Sequence, residues 1–231
     1  MKQLTCEMCG STDLMKQDGV FVCQTCGTKY SVEEAKKMMV EGTIDVQGTV
    51  KIDASEKLHN YYQVARRAKS DNDSETAAKY YSMILTEDPT SWEASFYFVY
   101  FRSMSCTIGQ IPSAASAISK CLISVLTLAK QSCASEEDVQ AVVTEIHEKA
   151  IEAATVFLTA SVRSFVNIQT DNPAYFVPDL STRSFAAVDI AYTIGTAIDK
   201  TFGGQAWAQK LVSSAYSTGN TLMLTYITTM K

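Results

Sequence analysis

Residues Leu58–Pro89 read LHNYYQVARRAKSDNDSETAAKYYSMILTEDP. Two helical runs flank Asp71-Asn72-Asp73-Ser74, whose short polar side chains make a turn and cap the helix that follows. Pro89 stands where the second helix has to stop. On the first run Leu58, Tyr61, Val64, Ala65 and Ala68 share a stripe, the expected packing face. Small residues at Ala65 and Ala77 let two antiparallel helices approach closely. The stretch is therefore a helical hairpin, and the chain around it reads as mainly α.

The order Tyr61, Val64-Ala65, Ala77, Tyr81, Ile84, Pro89 resembles a tetratricopeptide repeat. Ala68 departs from it, since the family places a large aromatic there. The resemblance implies a first helix lining a concave groove. His59, Tyr62, Arg66 and Lys69 fall on one stripe, and Glu93, Phe96 and Tyr100 of the next helix adjoin it. A cationic, aromatic-edged groove suits an acidic or C-terminal peptide. The same stripe also reads as an ordinary solvated helix face.

Downstream, Thr90-Ser91-Trp92-Glu93 is a capping box opening a second hairpin, so that repeat-like hairpins span residues 58–105. CTIGQIPS is an expected loop, and a helix runs from Pro112 to about Gln131. Ser135 caps a long helix to about Ile168, with an apolar seam at Val139, Val143, Ile146, Ala150, Ala153, Phe157 and Ala160. After the loop DNPAYFVPD, helices are expected at 180–201 and 205–230, split by Gly203-Gly204, with a kink at Gly219-Asn220. Residues 54–231 thus form an α-helical domain whose later helices cap the repeat pair, because so few repeats cannot cover their own apolar faces.

Upstream, Cys6–Gly27 reads CEMCGSTDLMKQDGVFVCQTCG and holds four of the seven cysteines. Cys6, Cys9, Cys23 and Cys26 form C-x2-C pairs separated by 13 residues, a spacing that closes around one tetrahedral ion. Gly10 and Gly27 let the backbone turn so that amides face the sulfurs. Asp18-Gly19 joins an LMK strand to a VFV strand, and a short strand follows at Thr28–Tyr30. A redox pair needs one Cys-x-x-Cys in a βαβ setting, a rubredoxin-like iron site resembles a larger fold, and a catalytic zinc keeps an open position. The segment resembles a zinc ribbon of the transcription-factor-B type over about residues 4–30, with structural Zn2+ as its cofactor.

A small β zinc ribbon (1–30) is thus joined to the helical domain through residues 31–53. Ser31-Val32-Glu33-Glu34 is a capping box starting a short helix that Gly42 stops. GTIDVQ and GTVKID then repeat one pattern over residues 42–53, a strand connector or an edge that pairs with a second copy as a homo-oligomer.

The net charge of −5 and a pI of about 5.1 lack the basic footprint that phosphate backbones require. Residues 51–70 carry five basic residues against two acids, and residues 71–110 six acids against two bases. MKQLTCEMC has no apolar signal core, and the most apolar stretch, CLISVLTLAK, is bounded by Lys120 and Lys130, so a cytoplasmic protein without membrane contact is expected. His147-Glu148 lacks the second histidine of a zincin, since Ile151 stands there, and no phosphate loop or G-x-S-x-G occurs. Cys106, Cys121 and Cys133 read as small hydrophobes. The expected function is a non-enzymatic protein–protein adaptor. The rival expectation is a regulator whose ribbon contacts DNA or RNA.

Overall fold

A computed structural model describes residues 6, 8, 12–17, 19–32, 34, 54–168 and 172–230. The chain divides into two compact units, residues 1–51 and 52–231. Helix accounts for 79% of the described residues, and the only described strands form one small N-terminal antiparallel sheet.

In the first unit β1 (Leu14–Gln17), β2 (Val20–Cys23) and β3 (Lys29–Tyr30) make a sheet in the order β1-β2-β3. Gln17 pairs with Val20, so the hairpin turn is the predicted two-residue one, and Gly19 takes the left-handed φ of 85° it requires. Phe21 pairs with Tyr30, closing the ribbon. The predicted capping box forms: the Ser31 hydroxyl accepts from the Glu34 amide at 3.2 Å, and the Glu34 carboxylate accepts from the Ser31 amide at 2.8 Å. Most of the helix expected after it, Gly42 and the repeated hexads at 42–53 lie outside the described residues.

The second unit contains α1 (Ala54–Ser70), α2 (Ser74–Glu87), α3 (Trp92–Met104), α4 (Ile111–Ser132), α5 (Glu136–Val166), α6 (Val177–Phe202) and α7 (Ala206–Thr229). The turn between α1 and α2 forms as read: Asn72 takes a positive φ of 56° and the Asp73 carboxylate accepts from the Thr76 amide at 3.1 Å. Ala65 and Ala77 are fully buried at the crossing, whereas Val64 turns outward from the stripe it was assigned to. Successive helices pack as neighbours through α4, after which the order changes. α6 packs against α4, α5 and α7 together, and so occupies the centre of the later helices. Its small Ala187, Ala191, Gly195 and Ala197 permit contact on several sides.

The helix after Pro89 starts one residue later than the box at Thr90 predicts. Ser91 is the cap, accepting from the Ala94 amide at 3.1 Å, and Thr90 bonds Asp88 instead. The reason is Glu93, which leaves the cap and turns inward. Each expected loop carries a 3-10 turn, at Ile108–Gln110 and Pro173–Phe176. α7 runs through Gly219-Asn220 without a break. There a β-carbon would lie 3.0 Å from the Tyr192 ring, so the glycine serves close helix approach. Segment Ile108–Ser132 is long and apolar enough to cross a membrane. Its Ile111, Ile118, Leu122, Val125, Leu126 and Ala129 are instead buried in the helical core.

Candidate metal centre

Three of the four predicted ligands are described, and they converge. Cys23 ends β2, Cys26 follows on the turn to β3, and Cys6 comes from the segment before the hairpin. Their sulfurs all lie within 4.8 Å of one another. Cys6 and Cys26 Sγ are 3.6 Å apart, and neither is disulfide-bonded. Zinc–thiolate bonds of about 2.3 Å set tetrahedral sulfurs about 3.8 Å apart, whereas a disulfide needs about 2.05 Å. The donor set therefore fits a thiophilic ion. Cys9 and Gly10 lie outside the described residues.

The surrounding backbone follows from the Cys-x-x-Cys-Gly pattern. Gly27 has a φ of 73°, and its amide bonds the Cys23 carbonyl at 2.8 Å, folding the chain back so that Cys26 faces Cys23. The Tyr30 hydroxyl lies 3.1 Å from Cys6 Sγ, and the Thr28 hydroxyl 3.1 Å from Cys26 Sγ. Hydroxyls at thiolates hold and tune ligands from behind. Among the described residues of this unit Cys6, Cys23 and Tyr30 are buried, with Leu14 and Phe21 packed on them. Phe21 and Tyr30 thus fill the ribbon rather than its surface. The sequence reading missed Thr28 and Tyr30 as ligand supports; their hydroxyls near the second knuckle were the available signal.

Of the seven predicted groove residues, Glu93, Phe96 and Tyr100 are buried, Tyr62 and Lys69 half-buried, and His59 and Arg66 exposed. Phe96 is 1% exposed and Tyr100 4%; they stack on each other and meet Tyr97 edge-on, in one aromatic cluster with Tyr81 and Phe101. Glu93 is buried and accepts from Arg66 Nε at 3.0 Å, Arg66 Nη2 at 2.6 Å and the Tyr81 hydroxyl at 2.9 Å. Burial first, and the Glu93 charge second, push the Tyr81 phenol well up. Lys69 pairs with Glu145 at 2.8 Å above the Tyr97 ring, and Tyr97 also donates to Glu145. Burial raises the Glu145 carboxyl, but Lys69 and the Tyr97 hydroxyl outweigh it and hold it below the usual range. Tyr62 donates to Ser91 at 2.6 Å, while His59 stays exposed beside Gln63. Charge reversal at Arg66 or Lys69 therefore perturbs the core before it can report on a partner.

Burial pushes the other thiols up, Cys121 to about 12 and Cys106 and Cys133 in the same direction. Thiols so disfavoured as thiolates are poor nucleophiles. Comparison of the chain with protein-family models, with curated proteins and with solved structures finds no match, so the reading of the site rests on its own geometry.

Proposed function

We propose that the N-terminal unit is a structural zinc ribbon held by Cys6, Cys9, Cys23 and Cys26, and that the chain is a non-enzymatic cytoplasmic adaptor. The observation carrying the reading is the convergence of the Cys6, Cys23 and Cys26 sulfurs within 4.8 Å. A bound zinc would supply a fixed charge clamp between the knuckles, and a closed thiolate set leaves no position for chemistry. The chain's part is to present the sulfurs: Gly27 turns the second knuckle, and Tyr30 and Thr28 buttress Cys6 and Cys26. Among the described residues of this unit the buried set is Cys6, Cys23 and Tyr30, and a thiolate-bound ion would add to what these few contacts supply.

The adaptor reading has support from the ribbon surface. Met8 is 75% exposed and Met15 54%, so the ribbon offers flexible apolar side chains to a protein. The helical unit, read as tetratricopeptide-like hairpins, would be the second docking module. Its accessible edge is His59 and Arg66, with Tyr62 half-buried, whereas Phe96 and Tyr100 are buried in the aromatic cluster.

Metal analysis tests the first half. Purified protein should carry one zinc per chain, and cobalt substitution should give a thiolate charge-transfer spectrum that Cys23→Ser abolishes. Metal-free protein with an ordered sheet would end the proposal. For the second half, crosslinking in cells should trap protein partners that are lost with Met8→Glu and Met15→Glu. Tight, salt-sensitive nucleic-acid binding that disappears with Lys16→Glu and Lys29→Glu would replace the adaptor with a nucleic-acid regulator.

A further inference from the structure

A cleft of about 410 Å³ opens in the helical unit between α3 and the start of α4. That volume lies within the usual range for small-molecule sites. Phe98, Val99 and Ala117 give it apolar walls, and Arg102 and Gln110 give it polar ones. No carboxylate lines it.

Arg102 is the cation that lines the cleft. Lys57, Arg66, Lys69 and Lys149 each have an acidic partner, and Arg102 has none among the described residues. Its guanidinium carbon lies 5.9 Å from the Phe98 ring centroid, so the charge is steadied against the cleft wall. Gln110 is oriented too. Its Oε1 accepts from the Thr107 amide at 2.9 Å and the Thr107 hydroxyl at 3.0 Å, which leaves its Nε2 as a donor. The wall serines add no donor, because Ser103, Ser105 and Ser113 each already donate to a backbone carbonyl. The cleft therefore presents a positive fork, an amide donor and an apolar wall, with nothing negative to repel an anion.

We propose that this cleft binds a small organic anion, its carboxylate or phosphate on Arg102 and Gln110 and its apolar body against Phe98, Val99 and Ala117. The site is independent of the metal reading. A guanidinium matches either anion bidentately, so the probes must separate them.

The test is calorimetric titration of the full chain with phenylacetate, phenyl phosphate, inorganic phosphate and neutral phenylacetamide. At least one of the organic anions should bind saturably, with affinity on the order of 1 mM. Arg102→Gln should weaken binding by at least about tenfold. Ala117→Phe should abolish it by filling the cleft without changing charge. Both positions are exposed, so helical circular dichroism should persist; if Arg102→Gln nevertheless unfolds, Ala117→Phe decides. The proposal is overturned if neither organic anion binds, if phenylacetamide binds as well as phenylacetate, or if inorganic phosphate matches phenyl phosphate. Unchanged affinity in both variants overturns it as well.

Discussion

Glu93 joins three helices through one carboxylate: Arg66 comes from α1, Tyr81 from α2, and Glu93 itself from α3. A buried carboxylate costs several kcal/mol to desolvate, and its partners offset that only while all are in place. Arg66 is largely exposed, so Glu93→Ala strands chiefly the buried Tyr81 hydroxyl and should lower unfolding free energy by about 1–3 kcal/mol in urea denaturation. Joint replacement by Arg66→Met, Tyr81→Phe and Glu93→Leu should lose far less, since no polar group is then left alone. A loss equal to that of Glu93→Ala would mean that shape, not charge, holds the site. His147 is the second residue-scale case. It is buried on α5, with the Leu211 backbone of α7 and Glu148 nearby, and burial holds its pKa below the usual histidine value. The folded protein keeps the ring neutral while the unfolded chain takes up a proton near about pH 6.5. Stability should therefore be complete above that pH and fall as pH drops toward the folded pKa. His147→Phe should flatten this slope in melts between about pH 7 and 5; an unchanged slope would assign it to other groups.

At the scale of elements, the caps and periodic seams were readable because they are local. Ser31, Asp73 and Ser135 cap as expected, and Val143, Ile146, Ala150, Ala153 and Phe157 form the buried seam of α5. Glu93 was misread because a capping box and a buried carboxylate share one local pattern. Only a distant arginine and tyrosine distinguish them. Gly219 was misread for a related reason: a glycine inside a helix signals either a bend or a close neighbour, and Tyr192 lies 27 residues away. Adding a side chain at Gly219 brings opposing effects. Backbone restriction favours the helix by up to about 1 kcal/mol, while the Tyr192 ring, bonded at 2.7 Å to Asn220, must move. For a large side chain the clash dominates. Gly219→Leu should destabilise the protein by about 1–3 kcal/mol in thermal unfolding, and pairing it with Tyr192→Ala should recover part of that loss.

For the whole molecule, the four-cysteine spacing and the helical hairpin made the mainly α class with a small leading sheet legible. The central place of α6 was not, because helix period says which face is buried and not which neighbour covers it. The two units differ in what holds them. The helical unit has a contiguous apolar core running from Ala65 to Leu222, whereas the buried set among the described residues of the first unit is Cys6, Cys23 and Tyr30. Ordering the sheet costs about 1–2 kcal/mol of conformational entropy per residue, a difference that thiolate–metal bonds can supply. If an ion supplies the difference, chelation should melt the sheet alone. Amide exchange at Met15, Val22 and Tyr30 should rise to the unprotected rate, while helical circular dichroism and protection in α6 stay near their starting values, since those helices rest on their own core. Restoring zinc should restore the sheet, and Cys23→Ser should block that recovery. Retained protection at Val22 in metal-free protein would show that the hairpin folds without the sulfurs' ion, and loss of helix in parallel would show that the second core depends on the first.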